Sequence, residues 1–231
     1  MSWVITGSEK TPVDPQFGSV SLLLHGNADG SGNILDSSPS PKTITKFGNA
    51  ASTIPPSYPN GNSAFGNALS FDGNGDYLQS ASADFGFGLQ DFTIEIWFYI
   101  NTLQSPNNRL IFFSDNKSNI DLSGSGINSG KIVYYDGTSY PTSGSALALG
   151  QWHHVAVTRS ATNGRIFING QQLASFTSSF NYGTTSRQLF IGATNSGVES
   201  FNGYIDDLRI TKGVARYTSN FTPPTAPFPD I

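Results

Sequence analysis

The chain has 231 residues, of which 12% are charged, a formal net charge of −4 and no cysteine. Without cysteine there are no disulfides, thiolate metal sites or cysteine nucleophiles, and the scattered Lys and Arg residues form no basic patch for nucleic acid. Abundant Gly, Ser, Thr and Asn beside Phe and Tyr indicate a turn-rich, β-rich protein with a hydroxyl- and amide-covered surface, and the length suits one domain, since all-β sandwiches reach ~200–250 residues.

Residues 1–18 mix Gly, Ser and Pro with Trp3, Val4, Ile5 and Phe17. They read as an N-terminal arm, either a partly ordered tail or an anchor for a neighbouring subunit. The start lacks the basic and apolar regions of a signal peptide, and no run approaches the ~18–20 apolar residues of a membrane span. Synthesis in a cytoplasm and no membrane partner are the expectations. Residues 19–24 read as a strand, 26–41 as a polar loop holding Asp29 and Asp36, and 42–47 as a short strand. Pro55-Pro56 and Pro59-Asn60-Gly61 make 48–65 a loop. Residues 69–71 and 77–80 flank Asp72-Gly73-Asn74-Gly75-Asp76. That run lacks the closing Glu and the length of an EF-hand loop and reads as a hairpin turn.

Phe92, Ile94, Ile96, Phe98 and Ile100 alternate with Thr93, Glu95, Trp97 and Tyr99. This period of two predicts a long central strand buried on one face and partly on the other. Strands follow at 110–114, 131–135 and 152–159. Asn163-Gly164 and Asn169-Gly170 then bracket 165–168 and predict tight hairpins, hence a three-stranded meander. Residues 188–192 and 201–210 complete roughly a dozen strands, enough for two packed sheets. Within 201–210 strict alternation places Asp206 on the face of Tyr204 and Leu208, where a carboxylate needs a hydrogen-bonded partner, a cation or solvent. Asp206→Ala is therefore expected to destabilise more than Asp207→Ala. Residues 212–217 read as a helical turn, and Pro223, Pro224, Pro227 and Pro229 make 218–231 an extended tail.

The stretch Phe201-Asn202-Gly203-Tyr204-Ile205-Asp206-Asp207-Leu208-Arg209-Ile210, followed by Tyr217 and a Pro-rich exit, resembles the last core strand of laminin-G-like, concanavalin A-like lectin/glucanase domains. It is particularly similar to the single-domain forms common in bacteriophage virion proteins. Four further segments carry the resemblance in the right order. They are Val20-Ser21-Leu22-Leu23-Leu24-His25-Gly26-Asn27 with Asp36-Ser37-Ser38; Leu69-Ser70-Phe71-Asp72-Gly73 with Asp76-Tyr77-Leu78; Phe92-Thr93-Ile94-Glu95-Ile96-Trp97-Phe98; and residues 150–159 leading into Ile166-Phe167-Ile168-Asn169-Gly170. The resemblance implies an all-β, two-sheet antiparallel jelly-roll sandwich over 19–217, with 218–231 as a Pro-rich tail. That fold hosts lectins, hydrolases and structural proteins, so function has to be argued from residues.

Laminarinase-type members of the resembled family carry two carboxylates on one face of one strand, ~5–5.5 Å apart in retaining enzymes. The matching strand here has only Glu95, with Thr93, Trp97 and Tyr99 on its face. No catalytic residue is expected. His153 and His154 are adjacent, so they point to opposite faces and cannot act as a pair, and no serine elbow supports a triad.

The resemblance also implies a structural calcium ion (Ca2+) where the last core strand meets the N-terminal segment. Asp206 is its leading ligand candidate, then Asp36, with carbonyls near Gly26 and Asn27. Relatives continue Asp-Ser-Ser with Gly where this chain has Pro39, so Asp29 competes with Asp36. The alternative is that Asp206 or Asp207 pairs with Arg209 or caps backbone amides. For glycans, which stack on aromatics and bond to amides and carboxylates, the turn-rich stretches offer Tyr140 and Asn181-Tyr182-Gly183-Thr184. Loop tyrosines serve protein contacts equally well.

The expected function is a non-catalytic virion surface or tail component with a lectin-like domain that binds host surface glycans. It would form a homo-oligomer, contact other virion proteins through its terminal arms, and reside in a virion assembled in a host cytoplasm, or otherwise outside the cell. The alternatives are a capsid-decoration or tail-assembly protein without a sugar ligand, and a carbohydrate-binding module of a larger secreted enzyme. Met1 and the Pro-rich end, read as the two ends of one chain, weigh against the last.

Overall fold

The structure is a computed structural model that describes residues 13–231. Expectations for Trp3, Val4 and Ile5 lie outside the described residues. Among the described residues the strands run, in chain order, β1 (Val20–Leu24), β2 (Thr45–Phe47), β3 (Ala51–Thr53), β4 (Ala68–Asp72), β5 (Tyr77–Ser82), β6 (Phe92–Thr102) and β7 (Asn107–Phe113). They continue as β8 (Asn119–Ser123), β9 (Ile132–Tyr135), β10 (Trp152–Ser160), β11 (Asn163–Ile168), β12 (Gln171–Thr177), β13 (Arg187–Ile191) and β14 (Asn202–Lys212). An eight-stranded sheet has the order β12-β11-β10-β6-β14-β4-β3, with β1 also on β14, and a six-stranded sheet has the order β2-β5-β13-β7-β8-β9. Every strand pair is antiparallel.

The two sheets pack because each presents an apolar face that a period of two supplies. Ile94, Ile96, Phe98 and Ile100 of β6 join Leu208 and Ile210 of β14 in one core with Phe113, Leu189, Ile191 and Tyr134 of the smaller sheet. The alternation of β6 thus holds as expected. Its odd residues point to the outer face of the larger sheet, away from the core. Thr93, Glu95 and Trp97 are nonetheless buried there, whereas Tyr99 is half-exposed.

β14 departs from strict alternation. Its register against β6 shifts between Asp206 and Arg209, and Asp207 has φ 48°. A β-bulge inserts one residue and so flips every side chain beyond it. Tyr204 and Asp206, opposite Tyr99 and Trp97, face outward, while Leu208 and Ile210 face the core. The expected sharing of a face by Asp206 and Leu208 is thereby corrected.

Three other readings also change. Residues 73–76 do not make a hairpin, because β4 lies in the larger sheet and β5 in the smaller one. The run carries the chain between sheets, and buried Asp76 ties it down by accepting the Asn49 N–H at 2.5 Å and the Asp72 N–H at 2.8 Å. The first turn of the β10-β11-β12 meander falls at Ala161-Thr162, where Ala161 has φ 53°, and not at Asn163-Gly164. Gly164 instead answers a close approach, since a Cβ there would lie 2.2 Å from the Phe176 ring. Residues 212–217 form no helical turn; the described helices are short 3-10 turns elsewhere.

The segment 218–231 is a strap on its own domain. Tyr217 and Phe221 stack at 3.6 Å, and the Phe221 N–H bonds to Gly170 O at 2.9 Å. Phe228 is buried with Val20 and Leu23, and the Arg209 guanidinium lies 3.6 Å from its ring centre. Asp14 bonds through its N–H to Ile231 O, so both described ends meet on the outer face of the larger sheet.

Candidate functional site

Glu95 sits at the centre of that outer face with no exposure. Its Oε1 accepts Arg209 Nε at 2.9 Å and Nη2 at 2.8 Å, and its Oε2 accepts the Tyr217 hydroxyl at 2.8 Å. Burial alone would raise its pKa; the Arg209 charge, then His154 and Arg216, outweigh it and leave the carboxyl at about 2. A general acid must hold a proton near working pH, and this group does not. Asp14 completes the cluster by accepting from Arg209 at 3.2 Å and from Arg216 at 2.7 Å. His154 is fully buried between Trp97 and Phe221, and His153 points the other way, against Phe98.

Asp206, Asp36 and Asp29 do not fit a shared calcium shell. Asp36 accepts four bonds, from the Leu23 and Ser38 N–H groups on Oδ1 and from the Ser38 hydroxyl and Lys42 N–H on Oδ2. Exposed Asp29 closes its own loop by accepting from Ser31 and Asn33. Among the described residues no three His, Cys, Asp or Glu side chains gather around one point. Asp206 alone has an open oxygen: Oδ1 takes the Asp207 N–H at 2.7 Å, and Oδ2 is buried without a partner. Burial, and secondly the Asp207 charge, push its pKa up to about 9. Asp207 bonds His25 Nδ1 at 2.6 Å and accepts the Phe228 N–H at 2.9 Å. Neither acid pairs with Arg209.

The residues expected to face a sugar are dispersed. Tyr182 is 2% exposed, and its hydroxyl lies 3.2 Å from that of Tyr134 and 3.4 Å from that of Ser178. It is a core residue, because Phe87, Phe92 and Phe180 enclose its ring. Asn181 is exposed, but its side-chain oxygen closes a turn onto the Gly183 N–H. Tyr140 is 63% exposed and stacks on Tyr135 at 4.4 Å beside β9, the edge of the smaller sheet, whereas β14 lies in the larger one.

A coherent surface lies instead where the strap leaves the outer face uncovered. Trp152, Tyr99 and Tyr204 occupy matching register positions on β10, β6 and β14. Tyr99 lies 5.8 Å from Trp152 and 6.0 Å from Tyr204, edge to face, and all three rings are half-buried. The row opens on a groove of about 280 Å³ lined by Asn49, Ser70, Asp72, Asn101, Asn202 and Tyr204. Bonds from Asn202 to Asp72 O at 2.8 Å and from Asn101 to Asn202 at 3.1 Å hold these side chains in place. Gly203 lets the strands close up here, as a Cβ would stand 1.9 Å from Tyr99 O. The signal for Tyr99 was its place on the face of Glu95; Trp152 and Tyr204 required strand register, which no local pattern carries.

Fold and site together define a two-sheet lectin-type sandwich whose central outer-face carboxylate is locked in an ion pair. Residues 72–216 match the profile of the Concanavalin A-like lectin/glucanases superfamily, and the chain belongs to that superfamily. No curated protein matches the sequence. Among solved structures, domain 4 of AbnA, a GH43 extracellular arabinanase from Geobacillus stearothermophilus in complex with arabinotriose, aligns with TM-score 0.62 and 19% identity over 85% of this chain and 94% of that one. Botulinum neurotoxin type C, whose cell entry depends on interaction with two ganglioside molecules, aligns with TM-score 0.60 and 18% identity over 86% of this chain. The binding domain of botulinum neurotoxin DC in complex with SialylT gives TM-score 0.58 and 18% identity, also over 86%. This chain spans about half of each of those two, 49%. At such identities the likeness is one of fold.

Proposed function

We propose that the protein is a non-catalytic, lectin-like domain that binds glycans through the Trp152–Tyr99–Tyr204 row and its adjoining groove. The carrying observation is that row: three half-exposed rings in register beside fixed Asn and Asp side chains. Sugar rings offer apolar faces to aromatics and hydroxyls to amides and carboxylates, and this surface offers both. The same sheet face bears Glu95, whose oxygens are taken by Arg209 and Tyr217, which favours binding over hydrolysis. Structural neighbours with sugar-related ligands support the reading. Titration with a panel of neutral oligosaccharides tests it: Tyr204→Ala is expected to weaken binding at least roughly tenfold without lowering the melting temperature, the cost of one lost stacking and hydrogen-bonding side chain. Unchanged affinity in Tyr204→Ala would remove the site.

Residence on a virion surface or tail is part of the same proposal and rests on the resemblance of the Ile205-Asp206-Asp207-Leu208-Arg209 strand to phage virion domains. Detection of the protein in purified particles, and its exposure to antibody there, tests this part.

A further inference from the structure

We infer that a second groove, between the β11–β12 hairpin and the start of the strap, holds a carboxylate-bearing sugar residue through Arg165. The sequence has six arginines. Four are in ion pairs: Arg109 with Asp121 and Glu199, Arg187 with Asp115, Arg209 with Glu95 and Asp14, and Arg216 with Asp14. Arg159 is buried and donates to the carbonyls of Gly88, Gln90 and Phe180. Arg165 is the exception. It makes no ion pair among the described residues, and its one hydrogen bond, to Asn163 O, is long at 3.4 Å.

Register explains where it points. Arg165 is two residues from Phe167, whose ring meets Tyr217 and Phe221 on the outer face, so Arg165 shares that face. There it lines a groove of about 530 Å³ with Asn163, Gln172, Ser175, Thr177 and Thr218. The volume falls in the ~300–1,000 Å³ range of small-ligand sites. The strap fixes the far wall: Thr158 Oγ1 donates to Tyr217 O at 2.9 Å, and Asn220 accepts the Gln172 N–H at 2.9 Å. The five polar side chains beside Arg165 make no side-chain hydrogen bond within the described residues, so their donors and acceptors are free for a ligand.

A lining of hydroxyls, amides and one unpaired guanidinium suits a polyhydroxylated ligand with a single anionic group. The guanidinium fork matches a carboxylate bidentately, while hydroxyls and amides pair with ring hydroxyls. A nucleic acid would need several cations where the groove has one. This inference rests on the reading of the domain as glycan-binding but uses a site separate from Tyr204.

Calorimetric titration of the full chain with 3′-sialyllactose and trigalacturonate, each against its neutral counterpart, lactose or a neutral trisaccharide, tests it. The acidic sugars are expected to bind more tightly, Arg165→Gln to weaken them roughly tenfold or more, and Arg165→Lys to recover part of the loss, with lactose unaffected by either change. Equal affinity of Arg165→Gln and the wild type for acidic sugars overturns the inference. So does displacement of the sugars by an equal concentration of inorganic sulfate, which would mark a plain anion site. Neutral sugars that bind through Tyr204 while acidic ones gain nothing would overturn this inference alone; no binding of either kind would overturn both.

Discussion

Arg209 places two N–H groups, Nε at 2.9 Å and Nη2 at 2.8 Å, on the same oxygen of Glu95. Both side chains are almost fully buried, on neighbouring strands whose register pairs the two residues directly. The bulge at Asp207 creates this pairing. Without the extra residue Arg209 would point into the apolar core and Glu95 would be a buried, unpaired carboxylate, the more costly arrangement. The pair thus links a local backbone irregularity to the ionisation of the one acid that a hydrolase reading needed.

Arg209→Ala is therefore expected to destabilise by about 3–5 kcal/mol, since it strands a buried charge on Glu95. Chemical denaturation of the variant measures this. The wild type should release no reducing sugar from β-glucans; release that Glu95→Gln abolishes would contradict the locked carboxylate.

The acidic pair should rank opposite to the order that strict alternation predicts. Asp207 has φ 48°, a conformation Asp tolerates better than Ala, and it holds both His25 and the Phe228 N–H. Asp207→Ala should cost about 2–4 kcal/mol, the sum of these losses. Asp206→Ala strands one donor, the Asp207 N–H, but also removes an unpartnered buried oxygen, so it should cost less, about 1 kcal/mol. Urea midpoints for the two variants decide the order.

Stability should fall as pH rises from about 4 to about 9. Asp206 keeps its proton in the folded state up to about 9, whereas the unfolded chain releases it near the ordinary carboxylate value. The folded state then binds more protons than the unfolded one, so rising pH favours unfolding, by as much as about 1.4 kcal/mol per pH unit from this group. Burial raises Asp207 in the same sense, partly offset by its bond to His25. Glu95 works oppositely and only in acid: its stabilisation is full above its unfolded value and is lost as pH falls toward about 2. Melting temperatures across this range, for the wild type and Asp206→Asn, test the assignment. The variant stays neutral throughout and should show a flatter profile. An excess of calcium that raises the wild-type melt at neutral pH, but not that of Asp206→Asn, would instead show Asp206 ionised beside a cation.

What the sequence revealed follows from which forces are local. The period of two in β6 and the turn chemistry of Asn169-Gly170 are written in consecutive residues, and both strands and hairpin are where those signals put them. The bulge at Asp207 has no such signature, because an acidic residue at positive φ reads the same as one on an ordinary strand. Short β3 and β8 escaped notice for a related reason: β3 is three small residues with no period, and the alternation in β8 is carried by only two apolar residues, Ile120 and Leu122, between polar loops. The row formed by Trp152, Tyr99 and Tyr204 joins three strands distant in sequence, so only register could assemble it. Tyr182 misled because a Gly- and Ser-rich surrounding suggests exposure, while long-range packing against Tyr134 buries it.

The last expectation separates a strap from a free arm. Phe228 is 5% exposed, packs with Val20 and Leu23, lies under the Arg209 guanidinium and donates its N–H to Asp207. An aromatic side chain so enclosed contributes through area removed from water and through the cation above its ring. Phe228→Ala should therefore lower unfolding free energy by about 3 kcal/mol or more, the usual scale for a buried Phe truncated to Ala. It should also free the end of the chain, so that limited proteolysis cuts after Tyr217 in the variant and not in the wild type. Asp230→Ala, at an exposed position with no side-chain bond among the described residues, serves as the control and should change neither quantity. Were 218–231 a free arm reserved for a neighbouring subunit, Phe228→Ala would leave the isolated protein as stable and as protease-resistant as the control.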